Sequence, residues 1–144
     1  MKSRILVFVQ FFVIFLMLLP VVTAKTHYVG GGLFFLAVGL FTGWSALQKN
    51  QLGNFNIRPD IREECQLITD GIYAYIRHPM YTSVLLSMFG VALIYFSLYE
   101  LVLFFILLIN MMIKMFYEES LWHCEGEAYK EYAKRTKRLV PFVF

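Results

Sequence analysis

Four apolar runs decide most of what this chain can become. They cover about residues 5–23, 28–47, 79–97 and 101–117, and a helix needs roughly 20 such residues to cross a hydrocarbon core about 30 Å thick. The 144-residue chain is 59% hydrophobic, with a mean hydropathy of +0.62, too apolar for an ordinary soluble domain. The expectation is an all-α polytopic membrane protein. A single unit, 1–144, carries four spanning helices and an amphipathic C-terminal helix.

The first run, Ile5 to Val22, follows Lys2 and Arg4 and ends just beyond Pro20. A basic start, an apolar centre and Val22-Thr23-Ala24 also fit a cleaved leader; the spanning reading is adopted over it. In the second run Gly39 and Gly43 stand four apart on one helical face, where small residues let a neighbouring helix come close. Gly30-Gly31-Gly32 is not a phosphate-binding loop, because no strand precedes it and no Lys-Ser/Thr follows.

Gln48 to Ile76 is the longest polar stretch and must lie outside lipid. Asp70-Gly71 marks a turn. Pro79 suits the first position of a helix, which puts His78 at or beside its N-cap. Ser97-Leu98-Tyr99-Glu100 interrupts the third and fourth runs, giving a tight helical hairpin. In the fourth run Asn110, Lys114 and Glu118 recur at four-residue intervals and share a face. Intramembrane polar groups usually face the protein interior, although a lysine near a helix end also snorkels to the interface. Beyond Glu118-Glu119 charged residues interleave with Tyr129 and Tyr132, which reads as an amphipathic surface helix.

Charge then orients the bundle. With four spans, every Lys and Arg except Lys25 falls on one side, and the positive-inside rule makes that side cytosolic, with both termini and the long loop. Net charge +3 reports this topology rather than nucleic-acid binding. Cys65 and Cys124 follow no zinc or redox spacing and are read as free thiols, and no metal site is expected.

The same face gathers Arg77, His78, Tyr81, Glu118 and Arg138. No HExxH, no carboxylate pair at glycosidase spacing and no nucleophile with an identifiable base is present. Arg77 offers a fork for a carboxylate or phosphate. His78 and Tyr81 offer hydrogen bonds, and Glu118 or Glu119 suits an ammonium or a ribose hydroxyl. Such a set fits a zwitterionic, amino-acid-bearing ligand. Singly, each residue also has a structural explanation: a headgroup anchor, a helix cap, a solvated helix end.

Leu67-Ile68-Thr69-Asp70-Gly71-Ile72-Tyr73, Arg77-His78-Pro79-Met80-Tyr81, Glu118-Glu119, Gly126-Glu127-Ala128-Tyr129-Lys130-Glu131-Tyr132 and Thr136-Lys137-Arg138-Leu139-Val140-Pro141 together resemble the isoprenylcysteine carboxyl methyltransferases. These group with the phospholipid N-methyltransferases, membrane enzymes that use S-adenosylmethionine. The resemblance implies a donor pocket built from segments 64–81 and 114–141, without a Rossmann fold. Leu67, Ile68, Tyr73, His78, Pro79, Met80 and Tyr81 would line it, and Glu118 or Glu119 would hold one end of the donor. Arg77 and Arg138 become candidates for its carboxylate or for the acceptor, and Lys114 for a place near the acceptor. Where the family commonly has Leu-Gly after the second motif tyrosine, this chain has Thr82-Ser83; where it commonly has Phe-Gly, this chain has Glu125-Gly126.

The implied reaction is methyl transfer to a lipophilic acceptor arriving from the bilayer, an isoprenylcysteine-type carboxylate first. A phospholipid or small lipophilic amine is the alternative within the class. A non-catalytic lipid-binding scaffold is the alternative outside it.

Overall fold

The computed structural model describes residues 2–19, 26–50, 67–125, 127–141 and 143. Helix α1 covers Lys2–Leu18, α2 Val29–Lys49, α3 Pro79–Ile94, α4 Leu98–Glu125 and α5 Glu127–Arg135, with a 3-10 turn at Gly71–Ala74. Among the described residues, extended pairing is confined to one parallel bridge between Ile76 and Lys137. The all-α expectation holds. Helix α2 and the Leu98–Leu121 part of α4 are long and apolar enough to cross a membrane. Helices α1 and α3 are apolar but shorter, at 17 and 16 residues.

Several boundaries differ from expectation, each for a local reason. Helix α1 stops at Leu18. Residues 20–25, with Pro20, the Val22-Thr23-Ala24 string and Lys25, lie outside the described residues, as do 51–66 with Cys65 and most of the charged loop. The same holds for Gly126 and for the side chain of Cys124. Ser97 does not merely interrupt the third and fourth runs. Its hydroxyl accepts the Glu100 N–H at 3.2 Å and its carbonyl accepts the Leu101 N–H at 3.0 Å, so it caps α4 and draws the helix start forward to Leu98. At its other end α4 runs on to Glu125, so apolar and polar surroundings are joined within a single rigid rod.

Burial along the helices follows helical spacing. In α1 the buried positions are Gln10, Val13 and Met17; in α4 they include Leu103, Leu107, Met111 and Met115. The apolar ones among these form one core with Leu85, Met88, Val91 and Ala92 of α3 and with Leu139 from the C-terminal segment. Helix α1 packs along α4, α2 along α3, and α3 meets α4. The outward faces are as apolar as the core, with Phe8, Phe15, Phe34, Phe41, Trp44, Phe105 and Ile109 exposed. In a bundle of this kind, close contact between helices does more than release of water to hold them together.

That closeness is set where α2 meets α3. A Cβ on Gly39 would lie 2.7 Å from the Ser87 backbone nitrogen and 2.9 Å from the Ser83 carbonyl, and the Ser83 hydroxyl donates to the Gly39 carbonyl at 2.7 Å. Gly43 faces Ser83 as well, so the paired glycines mark the contact face. Of the Gly30-Gly31-Gly32 run, only Gly32 is packed, against Gly90 and Ile94. At the same end of the pair, His27 and Tyr28 donate their N–H groups to the Ile94 and Leu93 carbonyls, closing the last turn of α3.

Gly39→Leu should therefore force α2 and α3 apart, costing about 1–3 kcal/mol and lowering the melting temperature in detergent. Gly30→Ala, with nothing within 4 Å of the added carbon, should leave it unchanged. Equal melting of both variants would show that this contact does not limit stability.

Candidate functional site

Gly71 begins the site. Its φ of 60° lies in the left-handed region that glycine adopts without strain, and the turn packs under the Lys49 side chain, whose ammonium meets Asp70 at 2.7 Å. The chain then passes through the 3-10 turn and continues to His78. There it pairs with the segment after α5: Arg77 N–H donates to the Lys137 carbonyl at 2.7 Å, His78 N–H to the Arg138 carbonyl at 3.0 Å, and Lys137 N–H to the Tyr75 carbonyl at 3.0 Å. Two side chains extend the seam. The Thr82 hydroxyl donates to the Leu139 carbonyl at 2.8 Å and the Tyr132 hydroxyl to the Tyr73 carbonyl at 2.6 Å. Thr82, a departure from the family pattern, thus ties α3 to the C-terminal segment.

Pro79 occupies the start of α3, as its missing N–H suggests, and His78 is the N-cap residue. The His78 side chain does not cap the helix. It turns instead toward the end of α4, stacking on Tyr81 with ring centroids 5.3 Å apart.

The two adjacent glutamates of α4 have different surroundings. The Glu119 side chain is 5% exposed and accepts from Arg77 Nε at 2.9 Å and Arg138 Nε at 2.9 Å, with His78 Nε2 at 3.3 Å. The Glu118 side chain is 29% exposed; it accepts the Tyr81 hydroxyl at 2.7 Å and stands 3.8 Å from His78 Nδ1. Successive helical residues point about 100° apart, which is why neighbours in sequence reach different partners.

Arg77 is committed to the protein. Besides Glu119, its guanidinium donates to the Thr136 carbonyl at 2.6 Å and the Ala133 carbonyl at 3.0 Å, holding the carbonyl end of α5 where a cation is favoured. Arg138 is more open, at 35%, and lies over the Phe116 ring at 5.3 Å. Tyr129 and Tyr132 are both buried and turn the apolar side of α5 inward, as expected for an amphipathic helix. Burial pushes the Tyr132 hydroxyl up to about 12, so it stays a neutral donor to Tyr73. Burial likewise raises Tyr73 to about 12, opposed by a hydrogen bond with Asn50 and reinforced by the Glu118 charge.

Lys114 lies deeper, one turn before Glu118. It does not snorkel: at 1% exposure its ammonium is inside the bundle, 2.6 Å from the Gln10 side-chain oxygen and 5.1 Å from the centroid of the Tyr81 ring. Asn110, a turn further on, donates to the Leu6 carbonyl at 3.1 Å. The shared face of Asn110 and Lys114 is therefore satisfied by α1, a partnership that the spacing within α4 could not reveal.

Of the residues singled out from sequence, Tyr73, Arg77, His78, Tyr81, Lys114, Glu118, Glu119 and Arg138 come together at one end of the bundle. Pro79 is buried beside them in sequence, while Leu67, Ile68 and Met80 are half-buried apolar residues outside the hydrogen-bonded cluster. Among the described residues no group of three or more His, Cys, Asp or Glu could hold a metal ion. Gln10 and Thr82 belong to the network without a motif to announce them, and Thr136, which opens the last motif string, joins it without having been singled out.

The chain is similar in sequence to known proteins. The phospholipid methyltransferase family matches residues 25–125. Protein-S-isoprenylcysteine O-methyltransferase of Schizosaccharomyces pombe (strain 972 / ATCC 24843) is 26% identical over 119 residues, covering 81% of this chain and 50% of that protein. The chain thus spans half the length of that curated relative. Since the family match takes in α2, α3 and α4 together with the Arg77-His78 step and the Glu118-Glu119 pair, the chain belongs to the phospholipid methyltransferase family.

Proposed function

We propose that this protein is a membrane methyltransferase that takes its methyl group from S-adenosylmethionine and gives it to a lipophilic acceptor. The observation that carries the reading is the contrast between the two glutamates. Glu119 is surrounded by protein cations, whereas Glu118 keeps a partly open carboxylate beside the stacked His78 and Tyr81 rings. In this reading α1, α2, α3 and α4 all span, and the charge asymmetry puts their polar end in the cytosol, where a soluble donor arrives.

The residues present fit such a donor. An open carboxylate suits an ammonium or ribose hydroxyl, and aromatic faces attract a sulfonium as they attract other cations. Glu118 would hold one end, with His78, Tyr73 and Tyr81 alongside and Leu67, Ile68, Pro79 and Met80 supplying apolar wall. Arg138, the more exposed of the two guanidinium groups, would meet the donor's carboxylate. Arg77, bound to Glu119 and to the end of α5, acts as a positioning residue. When bound, S-adenosylmethionine supplies a methyl group carried on a positively charged sulfur.

The protein's part is orientation and exclusion of water. A carboxylate acceptor is nucleophilic near neutral pH and needs no general base, only placement and partial desolvation. The similarity to an isoprenylcysteine O-methyltransferase favours that acceptor. The match to the phospholipid methyltransferase family supports a second reading, with an amine acceptor for which His78 or Glu118 would take up the proton.

Calorimetry on the detergent-purified protein should show donor binding; no binding at millimolar S-adenosylmethionine would refute the enzyme reading and leave the lipid-binding scaffold. With labelled donor and a membrane extract, a base-labile product identifies a methyl ester and a base-stable one an N-methyl group.

The glutamates should separate in two measurements. Glu118→Gln is expected to weaken donor binding about tenfold, or about 1.4 kcal/mol, with melting unchanged. Glu119→Gln leaves Arg77 and Arg138 without their shared counter-charge and should cost about 3–5 kcal/mol of stability. The reverse pattern would exchange their roles. His78→Ala should likewise weaken donor binding in a protein that still folds, and unchanged affinity would remove His78 from the donor pocket.

A further inference from the structure

The C-terminal segment carries a cationic strip that the donor site does not use. Lys134, Arg135 and Lys137 are exposed and, among the described residues, form no ion pair. Their inward neighbours are spent on the protein: Tyr132 and Thr136 are buried, and Arg138 is held by Glu119. Lys130 is balanced by Glu127 at 2.6 Å, and Glu131, one turn before Lys134 and Arg135, offsets at most one of the three charges. The strip therefore stays positive.

Its depth follows from the direction of the chain. The bridge between Ile76 and Lys137 is parallel, so residues 137–139 run the same way as 76–78, toward the body of α3. The Leu139 carbonyl accepts from Thr82, about 5 Å into α3, and the Leu139 side chain joins the core with Leu85 and Met88. Just beyond, Val140 and Val143 are exposed, joined by a turn in which Val143 N–H donates to the Val140 carbonyl at 3.2 Å. Phe116, the ring under Arg138, is exposed as well. From Lys137 to Val140 the outward side chains change from cation to hydrocarbon within at most about 10 Å of chain. That is the profile of a bilayer surface, with headgroups above and acyl chains below. Helix α5 does not supply the apolar contact itself, because Tyr129 and Tyr132 face the protein.

Resting on the four-span membrane reading above, we propose that Lys134, Arg135 and Lys137, with Val140 and Val143 below them, dock the C-terminal segment onto anionic headgroups of the cytosolic leaflet. Such attraction is worth about fivefold per basic residue, or about 1 kcal/mol, and fades within a Debye length. The segment that docks is the one whose carbonyls receive the Arg77 and His78 N–H groups and whose Arg138 meets Glu119. An anionic bilayer thus acts on the polar end from outside, by keeping that seam closed.

The full chain in nanodiscs tests this by hydrogen exchange of the seam, read in fragments covering 72–82 and 136–141, with calorimetric donor binding on the same samples. In discs of equal parts phosphatidylcholine and phosphatidylglycerol, exchange should be at least about fivefold slower than in phosphatidylcholine alone. High salt should remove the difference. The combined variant Lys134→Gln, Arg135→Gln, Lys137→Gln should also remove it while matching wild type in the phosphatidylcholine discs. Lys134→Arg, Arg135→Lys and Lys137→Arg together should retain it.

Equal exchange of the wild type in both lipids would overturn the docking surface, and so would a difference that survives in the glutamine variant. Inorganic phosphate slowing exchange equally in phosphatidylcholine discs would assign the strip to a soluble anion and overturn it too. None of these results touches donor binding. Absent donor binding, in discs where exchange follows lipid charge, would instead refute the methyltransferase reading and keep the surface.

Discussion

Everything at the polar end of this protein depends on one buried carboxylate. Glu119 sits on the last third of α4, Arg77 and His78 at the start of α3, and Arg138 on the segment after α5, and all three partners converge on its two oxygens. The buried Arg77 guanidinium is tolerable only because the carboxylate is there, and the carboxylate only because Arg77 and the more open Arg138 balance it. Arg77 passes the constraint on by gripping the Ala133 and Thr136 carbonyls, which sets where α5 ends. Remote segments are thus brought to fixed positions by charge and hydrogen-bond geometry. The apolar core beneath them selects contact but little direction.

The lower part of the bundle works differently. There the registry of α2 on α3 comes from Gly39 and Gly43 admitting Ser83 and Ser87, and the hold of α1 on α4 includes the Asn110 and Lys114 bonds to Leu6 and Gln10. Small residues and a few interior polar groups give specificity to surfaces that are otherwise uniformly apolar. The two regimes meet at Tyr81, which stacks on His78, faces the Lys114 ammonium and donates to Glu118.

The helical class and the grouping of Arg77, His78, Tyr81 and Glu118 were legible in the sequence, because apolar run length and helical spacing are local properties. Pro79 marked the start of α3 for the same reason. What could not be read was which partner each polar group would choose. Arg77 has the chemistry of a ligand-binding guanidinium, but its partners lie 42 to 59 residues away and consume it. Glu118 and Glu119 are interchangeable in a string of letters and become distinct only when α3 fixes which side of α4 each one faces. Gln10 carries no motif, and its role rests on a contact across 104 residues. Ser97 was read as a break, although a serine before an apolar run is also a helix start.

The parallel pairing of Ile76 with Lys137 also fixes an order of assembly. A chain is synthesised from its N-terminus, so α3 and α4 have formed their backbone before residues 136–139 leave the ribosome. Until then Glu119 has no Arg138 and the Thr82 hydroxyl has no Leu139 carbonyl to meet. The polar end is consequently the last part of the described bundle to be completed, because its closing contacts wait for the segment made last.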